Sequence, residues 1–145
     1  MAKKHSVEEA IADFTAVIVT GPRANADILD QIGRIIQEEA QRVIGTYEYG
    51  WTPLQPATIQ AKGQDTPLLT TGMLRDSIMY TVLEQTMEVA IGSDDPVAAY
   101  QELGTVTIPA RSFLMGAMMA KERDVFELAG AGYFARIKNG LGIDG

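Results

Sequence analysis

Ala24-Asn25-Ala26-Asp27-Ile28-Leu29-Asp30-Gln31-Ile32-Gly33-Arg34-Ile35-Ile36-Gln37-Glu38-Glu39-Ala40-Gln41-Arg42-Val43-Ile44-Gly45 carries the clearest periodicity in this chain. Ile28, Ile32, Ile35, Ile36 and Val43 fall on one helical face with Leu29 and Ala40 beside them, and Asp30, Arg34, Glu38 and Arg42 fall on another. The spacing predicts a long helix over 24–44. Asn25 or Asp27 suits its N-cap and Gly45 its left-handed stop. Asp30–Arg34 and Glu38–Arg42 are acid-before-base pairs four apart, each contributing a few tenths of a kcal/mol. Burying five large aliphatics on this face is worth on the order of 10 kcal/mol before entropy is charged. The helix is therefore an anchor of the core.

Before it, Ser6-Val7-Glu8-Glu9 has the form of a capping box, and Val7, Ile11, Phe14 and Ile18 follow at helical spacing. A short helix over about 7–17 is expected, with a strand through Thr15-Ala16-Val17-Ile18-Val19 as the alternative. After the helix, periodicity disappears from 46 to 70, a stretch holding Tyr47, Tyr49, Trp51, Pro53, Pro56 and Pro67. It reads as a long loop with a helical turn near Pro56–Lys62. Connections of this length are uncommon unless they bind something or move.

Strand chemistry comes next. Ser77-Ile78-Met79-Tyr80-Thr81-Val82-Leu83 is largely apolar on both alternating faces, and Met87, Val89 and Ile91 alternate with Glu88 and Ala90. Glu84-Gln85-Thr86 is short enough to join them, which predicts a hairpin 77–83/86–92. Asp94 and Asp95 read as turn and cap residues because Pro96 stands where a first helical residue should. Val97, Tyr100 and Leu103 then make an apolar stripe closed by Gly104, and a short strand is expected near 105–108. From 112 to 138 the pattern is helical, interrupted by Gly116, Gly130 and Gly132. Ala129-Gly130-Ala131-Gly132 marks a break or a close backbone approach. The fold class is thus α+β: a small antiparallel sheet packed with a helix over 24–44 and a C-terminal helix over 112–138. The whole of 1–145 reads as one domain, with 1–5 and 139–145 expected to be flexible.

Composition narrows function. The 145 residues include no cysteine, which excludes disulfides and thiolate chemistry and suits a reducing cytoplasm. No apolar run reaches the roughly 18 residues needed to cross a bilayer, so no membrane role is expected. The formal net charge of −7 argues against wrapping a duplex, yet fits a passage along which DNA slides without sticking. His5 is the single histidine, which speaks against a zinc site or a Ser-His-Asp triad. Gly130-Ala131-Gly132 lacks the pattern of a phosphate loop. No cofactor is expected. Glu102 is the one carboxylate a lytic enzyme would use, but its simpler reading is an ion-pair partner of Arg111. Met115, Met118 and Met119 read as helix core or as an adaptable binding face. Tyr47, Tyr49 and Trp51 lack interleaved basic residues, which favours anchoring a loop or an interface over stacking bases.

Three blocks in order resemble a known family. Trp51-Thr52-Pro53-Leu54 with Thr58-Ile59 and Lys62 comes first, then Pro67-Leu68-Leu69-Thr70-Thr71-Gly72-Met73-Leu74-Arg75-Asp76-Ser77-Ile78. Tyr100-Gln101-Glu102-Leu103-Gly104-Thr105 with Ile108-Pro109-Ala110-Arg111-Ser112-Phe113-Leu114 closes the set. Together they are similar to the phage Mu-type virion morphogenesis (tail completion) proteins over about 50–114. Ser112 stands where that family usually has a second proline, and Leu103 where it often has phenylalanine.

The resemblance implies a structural virion protein at the head–tail junction or tail end, assembled in the host cytoplasm. It would work as a hexameric or dodecameric ring against connector or adaptor proteins and the tail terminator or tail tube, and it would not be an enzyme. Residues expected at the ring or partner interface are Trp51, Leu54, Thr71, Gly72, Arg75, Glu102, Gly104, Arg111, Gly130 and Gly132. The 46–70 loop is expected on one side of the joint and the Gly130/Gly132 notch on the other. The alternatives are a cell-wall-degrading enzyme using Glu102 and a transient assembly factor absent from the mature particle.

Overall fold

The computed structural model describes residues 14–139. In chain order the elements are β1 (Thr15–Thr20), α1 (Ala26–Val43), α2 (Pro56–Lys62), α3 (Met73–Ser77), β2 (Met79–Leu83), β3 (Glu88–Ser93), α4 (Pro96–Leu103), α5 (Leu114–Ala120), α6 (Glu122–Ala129) and β4 (Phe134–Lys138). The fold is α+β. The sheet has four strands in the order β2-β3-β1-β4, every pair antiparallel.

The stretch 15–17, expected at the end of a helix or, alternatively, in a strand through 15–19, opens the central strand β1. Val17 pairs with Ile91 on one side and with Ile137 on the other, so the β-branched run is hydrogen-bonded along both edges. Such side chains lose χ1 freedom in a helix and pack well on a pleated surface, so strand pairing prevails over the helical spacing. Residues 7–13, the capping box Ser6–Glu9 and His5 lie outside the described residues, as do 1–5 and 140–145.

α1 is the predicted long helix. Asn25 Oδ1 accepts the Ile28 N–H at 2.9 Å, which settles the cap between Asn25 and Asp27. Leu29, Ile32, Ile36, Ala40 and Val43 are fully buried and pack on Val17, Val19, Val89 and Ile91 of the sheet. Gly45 takes a φ of 92°, as the expected stop requires. Asp30 and Arg34 pair at 2.7 Å. Arg42 does not pair with Glu38. It bridges Glu39 at 2.7 Å and Glu48 at 2.6 Å instead. Glu39 sits on the inner side of the helix, and the Arg42 guanidinium beside it holds its carboxyl below the usual range despite burial.

The hairpin forms two residues later than its apolar pattern suggests. Ser77 and Ile78 close α3, with Ser77 Oγ donating to the Leu74 carbonyl at 2.6 Å, and β2 begins at Met79. β2 is an edge strand whose Met79 and Thr81 face outward, so the expectation that both its faces are covered fails. The stretch 105–108 is not a strand. Thr105 Oγ1 accepts from the N–H groups of Thr107 and Ile108, and Thr105 N donates to the Ile108 carbonyl at 2.7 Å. A β-branched tetrapeptide with no strand beside it uses these local bonds and folds into a turn.

The single helix expected over 112–138 is two short helices and a strand. The chain leaves helical geometry at Lys121 and again at Gly130, and Phe134–Lys138 takes the free edge of β1. Both readings of the 129–132 segment are realised. It breaks the helix, and Ala129 approaches Gly21 so closely that an added Cβ there would lie 2.5 Å from the Ala129 carbonyl oxygen. The apolar stripe expected on α4 also turns outward. Val97 and Tyr100 are exposed, while Ala98, Ala99 and Glu102 are buried. Among the described residues no helix is long and apolar enough to cross a membrane.

Candidate functional site

The groove is built by loops that short helices hold in place. Asp95 Oδ1 caps α4 by accepting the Val97 N–H at 2.9 Å, with Pro96 at the first turn as its sequence position implied. At the other end of α4, Gly104 has φ 75° and ψ 169°, and an added Cβ would meet the Ala110 nitrogen at 2.8 Å. Only glycine lets the 105–110 turn fold back so tightly. Gly72 plays the matching part before α3 with φ 86°, while Thr71 Oγ1 accepts from Met73 N. Across from them the 46–70 segment is ordered around its aromatics. Tyr47 Oη donates to Asp65 at 2.5 Å and accepts from Leu54 N at 3.1 Å. Trp51 is buried, with the Tyr49 ring edge-on at 5.7 Å. The aromatic group therefore anchors a loop.

Between these walls lies a cavity of about 680 Å³. One side is Thr52, Pro53, Leu54, Thr58 and Lys62, and the other is Thr71, Met73, Leu74, Val97, Gln101, Ile108 and Arg111. The three sequence blocks, separated by up to sixty positions, thus meet around one opening.

Arg111 is its most constrained member. It is 6% exposed, and its Nε and Nη2 donate to the Thr52 carbonyl oxygen at 3.2 and 2.8 Å. A guanidinium fork on a single carbonyl ties the 105–111 turn to the 51–54 segment. No ion pair among the described residues includes Arg111 or Lys62. Lys62 Nζ donates to the Thr66 carbonyl at 2.5 Å. Burial and the nearby Arg111 charge hold its pKa below the usual lysine value. Oε1 of Gln101, in the same wall, is buried without a hydrogen-bond partner.

Glu102 has a different role from the one its sequence position suggested. Among the described residues no ion pair joins its carboxylate to Arg111, and it engages the start of α5 instead. It accepts Leu114 N at 2.7 Å, Met115 N at 3.1 Å and the Ser112 hydroxyl. Desolvation raises its pKa, against the pull of these donors. α5 has no side-chain cap of its own, so Glu102 supplies the acceptors its first turn lacks and a charge that suits the positive helix end. At 4% exposure it cannot reach a polysaccharide.

The remaining expected interface residues divide by location. Leu54, Thr71 and Arg111 line the groove, with Trp51, Gly72 and Gly104 in the segments that frame it. Arg75 pairs with Asp76 at 3.2 Å, and its carbonyl accepts from Gln41 of α1. Gly130 and Gly132 lie elsewhere, against Pro22 of the same chain. Sequence reasoning missed Lys62 and Gln101 as members of the site, although Lys62 belongs to the first block. It also missed the exposed Phe126 on α6. Comparison of the chain with protein-family models, with characterised proteins and with solved structures found no match.

Proposed function

We propose that this chain is a structural subunit of a tailed bacteriophage particle, acting at the head–tail junction or tail end as a neck, stopper or tail-completion protein. Its working form is a hexameric or dodecameric ring that meets connector or adaptor proteins on one side and tail-terminator or tail-tube proteins on the other. One observation carries the reading: the three blocks that resemble the virion morphogenesis proteins meet around a single groove. Glycine, proline and a forked arginine shape that groove, and such residues fix a surface for docking. The net charge of −7 suits a ring through which DNA passes without adhering. In such a ring each joint buries about 1,000 Å² or more in total. The lytic-enzyme alternative loses its carboxylate, because Glu102 lies in the interior capping α5.

The test is made on virus particles. Quantitative mass spectrometry of purified particles is expected to find the chain at six or twelve copies, and deleting its gene is expected to leave full heads and separate tails. Particles that lack the chain although their assembly needs it would mark a transient assembly factor instead. Peptidoglycan cleavage by the purified chain would overturn the structural reading.

A further inference from the structure

The groove presents an apolar lining with two cations in it, Lys62 and Arg111, whose hydrogen bonds go to backbone carbonyls. The acid in its lining, Asp95, is occupied in capping α4. A buried guanidinium without a carboxylate is an unusual arrangement, since buried charges are ordinarily paired. Met73 and Val97, exposed by 70% and 46%, add apolar surface at the groove. The opening therefore suits an apolar side chain flanked by carboxylates.

The same chain carries such a feature elsewhere. On α6, Glu122, Arg123, Phe126 and Glu127 are all exposed on one face, giving two acids, one base and an aromatic ring that is 49% exposed. Arg123 pairs with Glu127 at 3.7 Å, and Glu122 accepts from the Tyr133 hydroxyl at 2.5 Å. A half-exposed phenylalanine amid charges leaves apolar area in water that a partner can bury. The groove and the α6 face share no residue, so one molecule can offer both at once.

We infer that the groove is filled by α6 of a second copy, with Phe126 seated among Leu54, Met73, Val97 and Ile108 and its flanking carboxylates facing Lys62 and Arg111. Two different patches meeting in this way form a head-to-tail joint, which closes into a ring or grows as a filament according to the rotation per step. The inference rests on the ring reading above and specifies its joint.

The experiment is light scattering after size-exclusion chromatography on the full chain, whose monomer mass is 15.7 kDa. The parent is expected to run as an oligomer. Phe126→Glu and Val97→Glu, both at exposed positions, are each expected to give a folded monomer by circular dichroism, with the association constant lowered at least about 30-fold. Mixing the two variants is the decisive step. One keeps a working groove and the other a working α6 face, so the mixture forms a species of two chains and nothing larger. A parent oligomer that neither substitution alters, or two monomeric variants that fail to pair, would overturn the joint and leave the ring reading standing. A monomeric parent would also overturn it, and the copy number in particles would then decide the ring reading separately.

Discussion

Replacing Glu102 with alanine tests how the site is held together. The carboxylate reaches from α4 to the start of α5 and accepts two backbone N–H groups, from Leu114 and Met115, besides the Ser112 hydroxyl. With no other side chain capping α5, removal leaves those donors facing a space closed to water. Each buried donor left without an acceptor costs about 1–3 kcal/mol, so Glu102→Ala is expected to cost about 3–5 kcal/mol. That is a large share of the roughly 5–15 kcal/mol by which a domain is stable. Glu102→Gln keeps one acceptor oxygen and is expected to lose only about 1–2 kcal/mol. In urea titrations followed by circular dichroism, with a slope of about 1–3 kcal/mol/M, the alanine variant should shift the midpoint down by at least about 1 M.

The pH dependence follows from burial, which raises the Glu102 pKa above its usual 4.5. The folded state then holds the proton to higher pH than the unfolded state does, so this contribution to stability is complete below 4.5 and declines as pH climbs through the raised pKa. Glu102→Gln lacks that decline, and the gap between parent and variant should narrow as pH rises. A midpoint shift below about 0.3 M for Glu102→Ala, or a glutamine variant weaker than the alanine one, would refute the capping role.

Three further outcomes can be checked by similar means. Gly33→Ala places a Cβ 2.3 Å from Cδ2 of Tyr80, so overpacking outweighs the helix-propensity gain and stability should fall by about 1–3 kcal/mol, whereas in a Tyr80→Ala background the same change should be neutral or favourable. Glu39 has a pKa held below 4.5, chiefly by its hydrogen bonds with Arg42, so its contribution is present above 4.5 and is lost as pH falls through the depressed value; Glu39→Gln should flatten that acid limb of thermal stability. Asn25→Ala removes the bond to Ile28 N and should cost about 0.5–2 kcal/mol of unfolding free energy, while Asp27→Ala should cost less.

Local rules succeeded where one element suffices to satisfy them. The stripe of α1, the Pro56–Lys62 turn, the Asp95–Pro96 helix start and the Glu88–Ser93 strand are each dictated by side chains within a few positions of one another. Local rules failed where a residue's partner lies far along the chain. Phe134–Lys138 continues a helical pattern, but β1 has a free edge, and only the assembled sheet shows that the edge is there. The outward turn of Val97 and Tyr100 has the same origin. α4 lies with Ala98 and Ala99 against the core because small side chains permit close approach, and the polar Glu102 follows them inward because α5 supplies its donors. The candidate site was legible as three blocks but not as a groove.

The amino-acid order alone determined the anchor helix, the hairpin and the α+β class, because periodicity and turn chemistry act over one or two turns of chain. The tertiary structure decided the four-strand order, the division of 112–138 into two helices and an edge strand, the cap that Glu102 makes and the pairing of Arg111 with the Thr52 carbonyl. Those features satisfy buried polar groups and open strand edges with partners up to more than a hundred positions away. Such partners exist only once the chain has folded.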